Sequence, residues 1–172
     1  MIDLKKIIRD VPNFPKPGIL FKDITPLLAN AEAFKQVIDS FVERYKNQKL
    51  KAIVGVESRG FIFASALAYA LNTGVVLIRK NGKLPAETIK QGYSLEYGKD
   101  HIEIHKDSIL PGDQVLLMDD VLATGGTANA SCELIQKMGG KLLEVAFVIE
   151  LGFLKGRDNL KGKEIFSLLQ YA

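Results

Sequence analysis

Apolar residues between Ala31 and Tyr45 fall at Phe34, Val37, Ile38, Phe41, Val42 and Tyr45, spaced with the period of a helix that has one buried face. Beyond Lys51 the pattern changes to short runs that are apolar at almost every position. Ala52–Val56, Val75–Ile78, Val115–Met118 and Val145–Leu151 read as strands, with Phe61–Leu71 and Thr127–Met138 as helices set among them. A strand with no polar face must be covered on both sides, so the alternation predicts an α/β fold, a parallel sheet flanked by helices. Ligands of such sheets bind beyond the C-terminal ends of the strands. Glu57, Arg79 and Asp119 lie at or just past those ends, so one pocket can draw charged groups from three distant stretches of chain.

Two stretches break the alternation. Residues 2–9 read as a short helix, followed by a bend at Pro12, Pro15, Pro17 and Gly18. Between Lys80 and His105, the runs Ser94–Tyr97 and His101–His105 read as two strands of a hairpin around Gly98. The basic, glycine-containing run Lys80–Pro85 precedes it and is placed to act as a mobile lid. His101 and His105 share a strand face, but the sequence brings no further ligand toward them, and exposed strand histidines fit better than a metal pair.

Composition limits the classes of function. The 172 residues suit one domain that buries about 70% of its unfolded surface. Lysine and arginine total 23 against 20 acidic residues, an excess too small to argue for a nucleic-acid partner. The single cysteine, Cys132, excludes an internal disulfide and a multi-cysteine zinc site, and its place on the apolar side of a helix suits a buried thiol. Charges at Asp3, Lys5, Lys6, Arg9 and Asp10 leave no room for a signal-peptide core. The longest uncharged apolar stretch, Phe61–Leu71, is shorter than the roughly 20 residues that span a bilayer, so a cytoplasmic protein with no membrane partner is expected.

The candidate chemistry is concentrated between Val115 and Thr127. Asp119 and Asp120 follow an apolar run; ordinary carboxylates there are ionised at neutral pH and accept hydrogen bonds from vicinal ribose hydroxyls. Ala123, Thr124, Gly125, Gly126 and Thr127 carry little side-chain bulk, so their backbone N–H groups can close around a phosphate. The segment Ala128–Met138 adds the positive end of a helix dipole. Strand, acidic pair, small-residue loop and helix in this order resemble the phosphoribosyl-diphosphate (PRPP) motif of the type I phosphoribosyltransferases.

That resemblance extends to other segments. Glu57-Ser58-Arg59-Gly60-Phe61 is similar to the family's pyrophosphate loop, which implies that Glu57, Ser58 and Arg59, with Arg79, Lys80 and Lys83 from the lid, hold the diphosphate. A guanidinium beside a tight turn suits that anion. Phe14–Pro26 resembles the N-terminal hood of the family's adenine-specific members. Ile19, Leu20, Phe21 and Lys22 would then surround the base, with Phe21 stacking and the backbone of Leu20 and Lys22 reading its edge. A carbonyl oxygen suits the 6-amino donor of adenine, whereas a 6-oxo purine needs a donor there. Glu96 is the candidate for moving the base's proton, with Tyr97 positioning the closed lid; read alone, Glu96 is also compatible with a solvated strand charge.

Leu77–Lys80, Gly82–Pro85, Tyr93–Gly98 and Phe166–Tyr171 carry the resemblance over nearly the whole chain. Asn81 departs from it where proline or arginine is common, and Lys22 stands where arginine is common. The family implies transfer of phosphoribose from PRPP to N9 of adenine, giving AMP and pyrophosphate in purine salvage. It also implies Mg2+ held mainly by PRPP and water rather than by a protein ligand. A homodimer is implied as well, and a single domain over 1–172 with its hood over about 1–30 and its lid over about 80–105. Two alternatives stay open. One is a PRPP-binding regulator of nucleic acid, which needs a basic face or an added domain. The other is transfer to hypoxanthine, guanine, xanthine or orotate, which the PRPP motif does not distinguish from adenine.

Overall fold

The computed structural model describes residues 2–95 and 98–172, which divide into two units between Arg44 and Tyr45. In the first unit Asp3 caps a single helical turn, α1 (Leu4–Ile7), by accepting the Lys5 N–H. The helix expected over 2–9 stops there because Arg9–Pro12 pairs instead, as β1, antiparallel with β2 (Leu20–Asp23). Pro12 ends its strand, a position where a missing N–H is tolerated. The proline-rich bend is the loop of this hairpin. Gly18, at φ +86°, donates its N–H to the Asn13 side chain, and the rings of Phe14 and Phe21 meet edge-on at 5.2 Å. Two helices follow, α2 (Thr25–Ala29) and α3 (Ala31–Tyr45), the latter over the span its periodicity predicts.

The second unit runs β3 (Ala52–Val56), α4 (Gly60–Leu71), β4 (Gly74–Lys80), β5 (Thr88–Leu95), β6 (Gly98–His105), β7 (Gln114–Leu122), α5 (Gly126–Lys137) and β8 (Lys141–Leu151). Two 3-10 turns, Gly152–Leu154 and Gly156–Leu160, lead into β9 (Ile165–Tyr171). The strands form one seven-stranded sheet in the order β5-β6-β4-β3-β7-β8-β9. β4, β3, β7, β8 and β9 are parallel, and the hairpin β5–β6 adds an antiparallel edge beside β4. That hairpin begins at Thr88, earlier than its expected start at Ser94.

Strand alternation assigns the two faces. Gly55 points at α4, where an added Cβ would lie 2.9 Å from the Ala64 Cβ. Its neighbours Val54 and Val56 point the other way, into a core shared with Val76, Leu117, Phe147 and the α5 residues Ala130 and Leu134. The strand order reverses between β3 and β7, since β3 continues through α4 to β4 on one side and β7 through α5 to β8 on the other. Such a reversal opens a crevice at the C-terminal strand ends. The β3–β7 ladder stops at Gly55–Met118, whereas the β7–β8 ladder runs on to Leu122–Glu150. Asp119 and Asp120 are therefore inside β7, not beyond it, but past the last pairing with β3.

Candidate active site

β3 turns through Glu57–Arg59 into α4, with a cis peptide bond between Glu57 and Ser58. The turn is drawn tightly onto β7. A Cβ on Gly60 would lie 2.9 Å from both the Asp119 Oδ1 and the Met118 carbonyl oxygen, so glycine is what allows α4 to begin there. Arg59 then reaches across, its Nε 2.8 Å from the Oδ2 of Asp120, a residue only 4% exposed. Asp119 is half-buried and accepts the backbone N–H of Asp120 at 2.8 Å. Burial, and after it the charge of Asp120, pushes the Asp119 carboxyl well above its usual range. Burial also raises Asp120, against the pull of Arg59. The ionised pair expected from ordinary carboxylates is thus opposed by desolvation, and cations brought in with a ligand act in its favour.

β7 passes directly into the loop Ala123–Thr127, and Gly125 (φ +83°) precedes the first turn of α5. A cavity of about 90 Å³ opens there, lined by Asp119 and the residues from Val121 to Ala128. The first N–H groups of α5 have no partners within the helix and favour an anion. The loop is held from behind by the turn Gly156–Leu160. A Cβ on Gly125 would fall 2.4 Å from the Gly156 carbonyl oxygen, and one on Gly156 would fall 2.2 Å from that of Ala123. Asn159 donates its side-chain N–H to the Thr124 carbonyl at 2.7 Å. Sequence reasoning missed Gly156 and Asn159, and the one local signal was a second glycine four residues after Gly152, where β8 ends. At the loop's other end Tyr93 of β5 meets the Thr127 hydroxyl and donates to Asp100 at 3.3 Å.

On the β4 side, Glu57 gathers the cations. It accepts the Lys80 N–H at 2.9 Å, the Lys83 Nζ at 2.9 Å and the Arg79 Nε at 3.3 Å. Burial opposes its ionisation, but the Lys80 N–H, Lys83 and Arg79 outweigh it and hold the carboxyl at about 2. An ionised carboxylate is acceptor-only, so Glu57 organises Arg79 and Lys83 and is ill suited to touch a diphosphate itself. Arg79 also donates to the Lys83 carbonyl at 3.1 Å, so the run expected to be mobile is tied to β4. The Lys80 ammonium points elsewhere, 3.9 Å from Asp100, and Ser58 is exposed on its turn.

Asp119, Asp120, Ala123–Thr127, Glu57, Ser58, Arg59, Arg79 and Lys83 therefore share one end of the sheet. Ile19, Leu20, Phe21 and Lys22 belong to the first unit, on and beside β2, where the Lys22 ammonium pairs with Asp10. Glu96 and Tyr97 lie outside the described residues. Among those described, no three histidine, cysteine, aspartate or glutamate side chains converge to hold a metal ion. His105 instead accepts the Ala86 N–H at 3.3 Å. Cys132 is buried as expected, and burial raises its thiol to about 11.

The low value at Glu57 has a consequence for acid stability. A glutamate at about 2 in the folded protein and at its ordinary 4.5 when unfolded stabilises the fold fully above pH 4.5. That contribution is lost as the pH falls through 4.5 toward 2. Glu57→Gln should lower the unfolding free energy at pH 7 by on the order of 2 kcal/mol, with allowance for the solvent around Lys83. The gap to wild type should close as pH falls, as urea midpoints measured from pH 7 to pH 2 will show; a gap that does not depend on pH would contradict the pairing.

The family model described as a phosphoribosyl transferase domain matches residues 23–168. An adenine phosphoribosyltransferase of Chloroflexus aurantiacus is 56% identical over 169 residues, covering 98% of either chain. One of Halothermothrix orenii is also 56% identical, over 98% of this chain and 99% of its own. Among solved structures, the adenine phosphoribosyltransferase of Thermoanaerobacter pseudethanolicus superposes with a TM-score of 0.95 at 48% identity, covering 98% of both chains. That of Saccharomyces cerevisiae, solved with adenine and an imino-altritol bisphosphate, gives 0.93 at 46% identity over 97% of each. Strand reversal, acidic pair and glycine loop thus coincide with similarity along the full length, and the chain belongs to the phosphoribosyl transferase family, among its adenine phosphoribosyltransferases.

Proposed function

We propose that the chain joins adenine to PRPP, forming AMP and releasing pyrophosphate, as a pentosyltransferase of purine salvage. The observation that carries this reading is the placing of Asp119, Asp120 and Arg59 beside the Ala123–Thr127 loop at the strand reversal. The loop and the start of α5 take the 5-phosphate, and the acidic pair takes the ribose hydroxyls. Arg59, Arg79 and Lys83 face the diphosphate, and Lys80 joins them only by turning its ammonium away from Asp100. The bond from C1 to the diphosphate oxygen breaks with its electron pair leaving on that oxygen, and N9 of adenine forms the new bond to C1. Bond breaking leads, because the ribose ring oxygen stabilises positive charge at C1. The protein holds the nucleophile in line, offsets the departing charge and keeps water from the cation. Glu96 takes the N9 proton and Tyr97 positions the closing hairpin.

Ile19–Lys22 supply the base site. Within its unit β2 pairs on one side only, with β1, so part of its backbone faces away from the ladder and suits the edge of adenine. With the Lys22 ammonium on Asp10, recognition there falls to the backbone, which an arginine-to-lysine exchange leaves unchanged.

The donor set fits Mg2+. Asp119 and Asp120 offer hard oxygens, the Asp120 Oδ2 being paired with Arg59, and would hold the ion through its water shell and the ribose hydroxyls. Bound with PRPP, Mg2+ supplies further neutralisation of the diphosphate. A homodimer is supported by exposed apolar side chains on α4 and the adjoining β4, Ile62, Val75, Leu77 and the 91% exposed Tyr69. PRPP is too highly charged to cross a bilayer unaided, which supports a cytoplasmic enzyme. No helix among the described residues is long and apolar enough to cross a membrane.

Purified protein given PRPP, Mg2+ and each of adenine, hypoxanthine, guanine and orotate should form nucleotide from adenine alone, as read by chromatography. Turnover of another base would refute the role of Ile19–Lys22 and leave the PRPP site standing. Replacing Asp119 and Asp120 together by Asn should lower kcat/KM at least about a hundredfold, and a double variant within tenfold of wild type would sink the assignment. Glu96→Gln should lower kcat about a hundredfold with the KM for PRPP unchanged, and unaltered kcat removes Glu96 from the chemistry.

A further inference from the structure

Glu103 is 2% exposed and none of the roles above uses it. It lies on β6, directly opposite Arg79 of β4. Its Oε1 accepts the backbone N–H of Lys83 at 3.0 Å and that of Leu84 at 3.1 Å, and its Oε2 accepts the Thr88 hydroxyl at 3.3 Å. The Lys90 ammonium stands 3.9 Å away. Burial opposes ionisation of this carboxyl, yet the Leu84 and Lys83 N–H groups, the Thr88 hydroxyl and the Lys90 charge together outweigh it and keep it below its usual range. A buried charge is costly unless it is paired and hydrogen-bonded. An apolar residue could fill the same space without that cost, so what the carboxylate adds is the position of two N–H groups.

We propose that Glu103 is a positioning residue for the diphosphate side of the site, fixing the backbone of Lys83 so that its ammonium can exchange Glu57 for a phosphate oxygen. This rests on the reading of Arg79 and Lys83 as diphosphate-facing cations. Lys83 is held at three points: its N–H on Glu103, its carbonyl on the Arg79 Nη1 at 3.1 Å, and its Nζ on Glu57 at 2.9 Å. A diphosphate draws on the Lys83 ammonium and on Arg79, so the Lys83 N–H on Glu103 is the one of the three anchors it does not contest. Without Glu103 the run 80–85 loses that anchor, and its ordering is charged to the binding step.

The test is calorimetric binding of magnesium pyrophosphate to the full-length protein. Glu103→Ala should weaken Kd about tenfold. Glu103→Gln should stay within about threefold, because its amide oxygen can accept the same two N–H groups and its NH2 can face the Thr88 hydroxyl. In a Lys83→Ala background Glu103→Ala should cost nothing more, because the two act through one contact. Glu103→Ala binding within twofold of wild type, or costs that multiply in the double variant, would overturn the proposal. Should Glu103→Ala fail to fold, Glu103→Asp keeps the charge on a shorter arm. A several-fold loss that Lys83→Ala abolishes supports the proposal, and unchanged Kd overturns it. The pyrophosphate probe carries no base, so wild-type protein that binds it without turning over adenine overturns the adenine reading alone. Wild type that fails to bind pyrophosphate overturns both.

Discussion

Arg59, Arg79 and Lys83 converge on one end of a sheet, and their mutual repulsion has to be offset by the protein itself. Glu57 does this for Arg79 and Lys83, and Asp120 does it for Arg59. Both carboxylates come from the crevice where the strand order reverses, Glu57 at the end of β3 and Asp120 past the last pairing of β7 with β3. The two differ in kind. Glu57 is held ionised by three donors, whereas burial raises the Asp120 carboxyl above its usual range against the pull of Arg59. One arm of the site is thus a settled ion cluster, and the other is poised to gain from an incoming cation or hydroxyl donor.

Backbone contacts too close for a side chain keep these groups in place. Gly60 lets α4 start against Asp119, and Gly125 and Gly156 let the Ala123–Thr127 loop rest on the turn behind it. Each contact sets backbone against backbone or against a carboxylate, so the site takes its geometry from the sheet's connections and not from flexible side chains. Arg59 can then reach Asp120 because the residue after it is pinned to the same strand.

The central strands were legible because burial on both faces writes a continuous apolar run, as in Ala52–Val56 and Val145–Leu151. Edge elements were less so. β1 and β2 are four residues each, β5 carries Gly92 and alternating polar positions, and β9 is only partly buried. In the candidate site, the meeting of Asp119 with the Ala123–Thr127 loop was legible because both lie within one contiguous segment. Asn159 and Glu103 were not, since each acts on backbone groups far away in sequence, the Thr124 carbonyl and the Lys83 and Leu84 N–H groups. A side chain's sequence neighbourhood carries no trace of which distant amide it will meet. Glu57 shows the related limit: its position at a strand end was readable, but its service as a counter-ion required seeing Arg79 and Lys83 folded back onto it.

Internal counter-ions also shape how binding energy is used. On the proposed reading, a diphosphate that took Lys83 from Glu57 would replace one ion pair with another, for a net gain far smaller than the Coulomb energy of the new pair. Glu57 does not lose all its partners, because the Lys80 N–H still donates to it, so the exchange avoids stranding a buried charge. The same arithmetic runs in reverse as the product leaves. A site whose cations had no internal partners would hold pyrophosphate more tightly and release it more slowly. On that reading, pairing each cation with a fixed carboxylate would moderate ground-state affinity and leave stabilisation to the moment when negative charge builds up on the leaving oxygen.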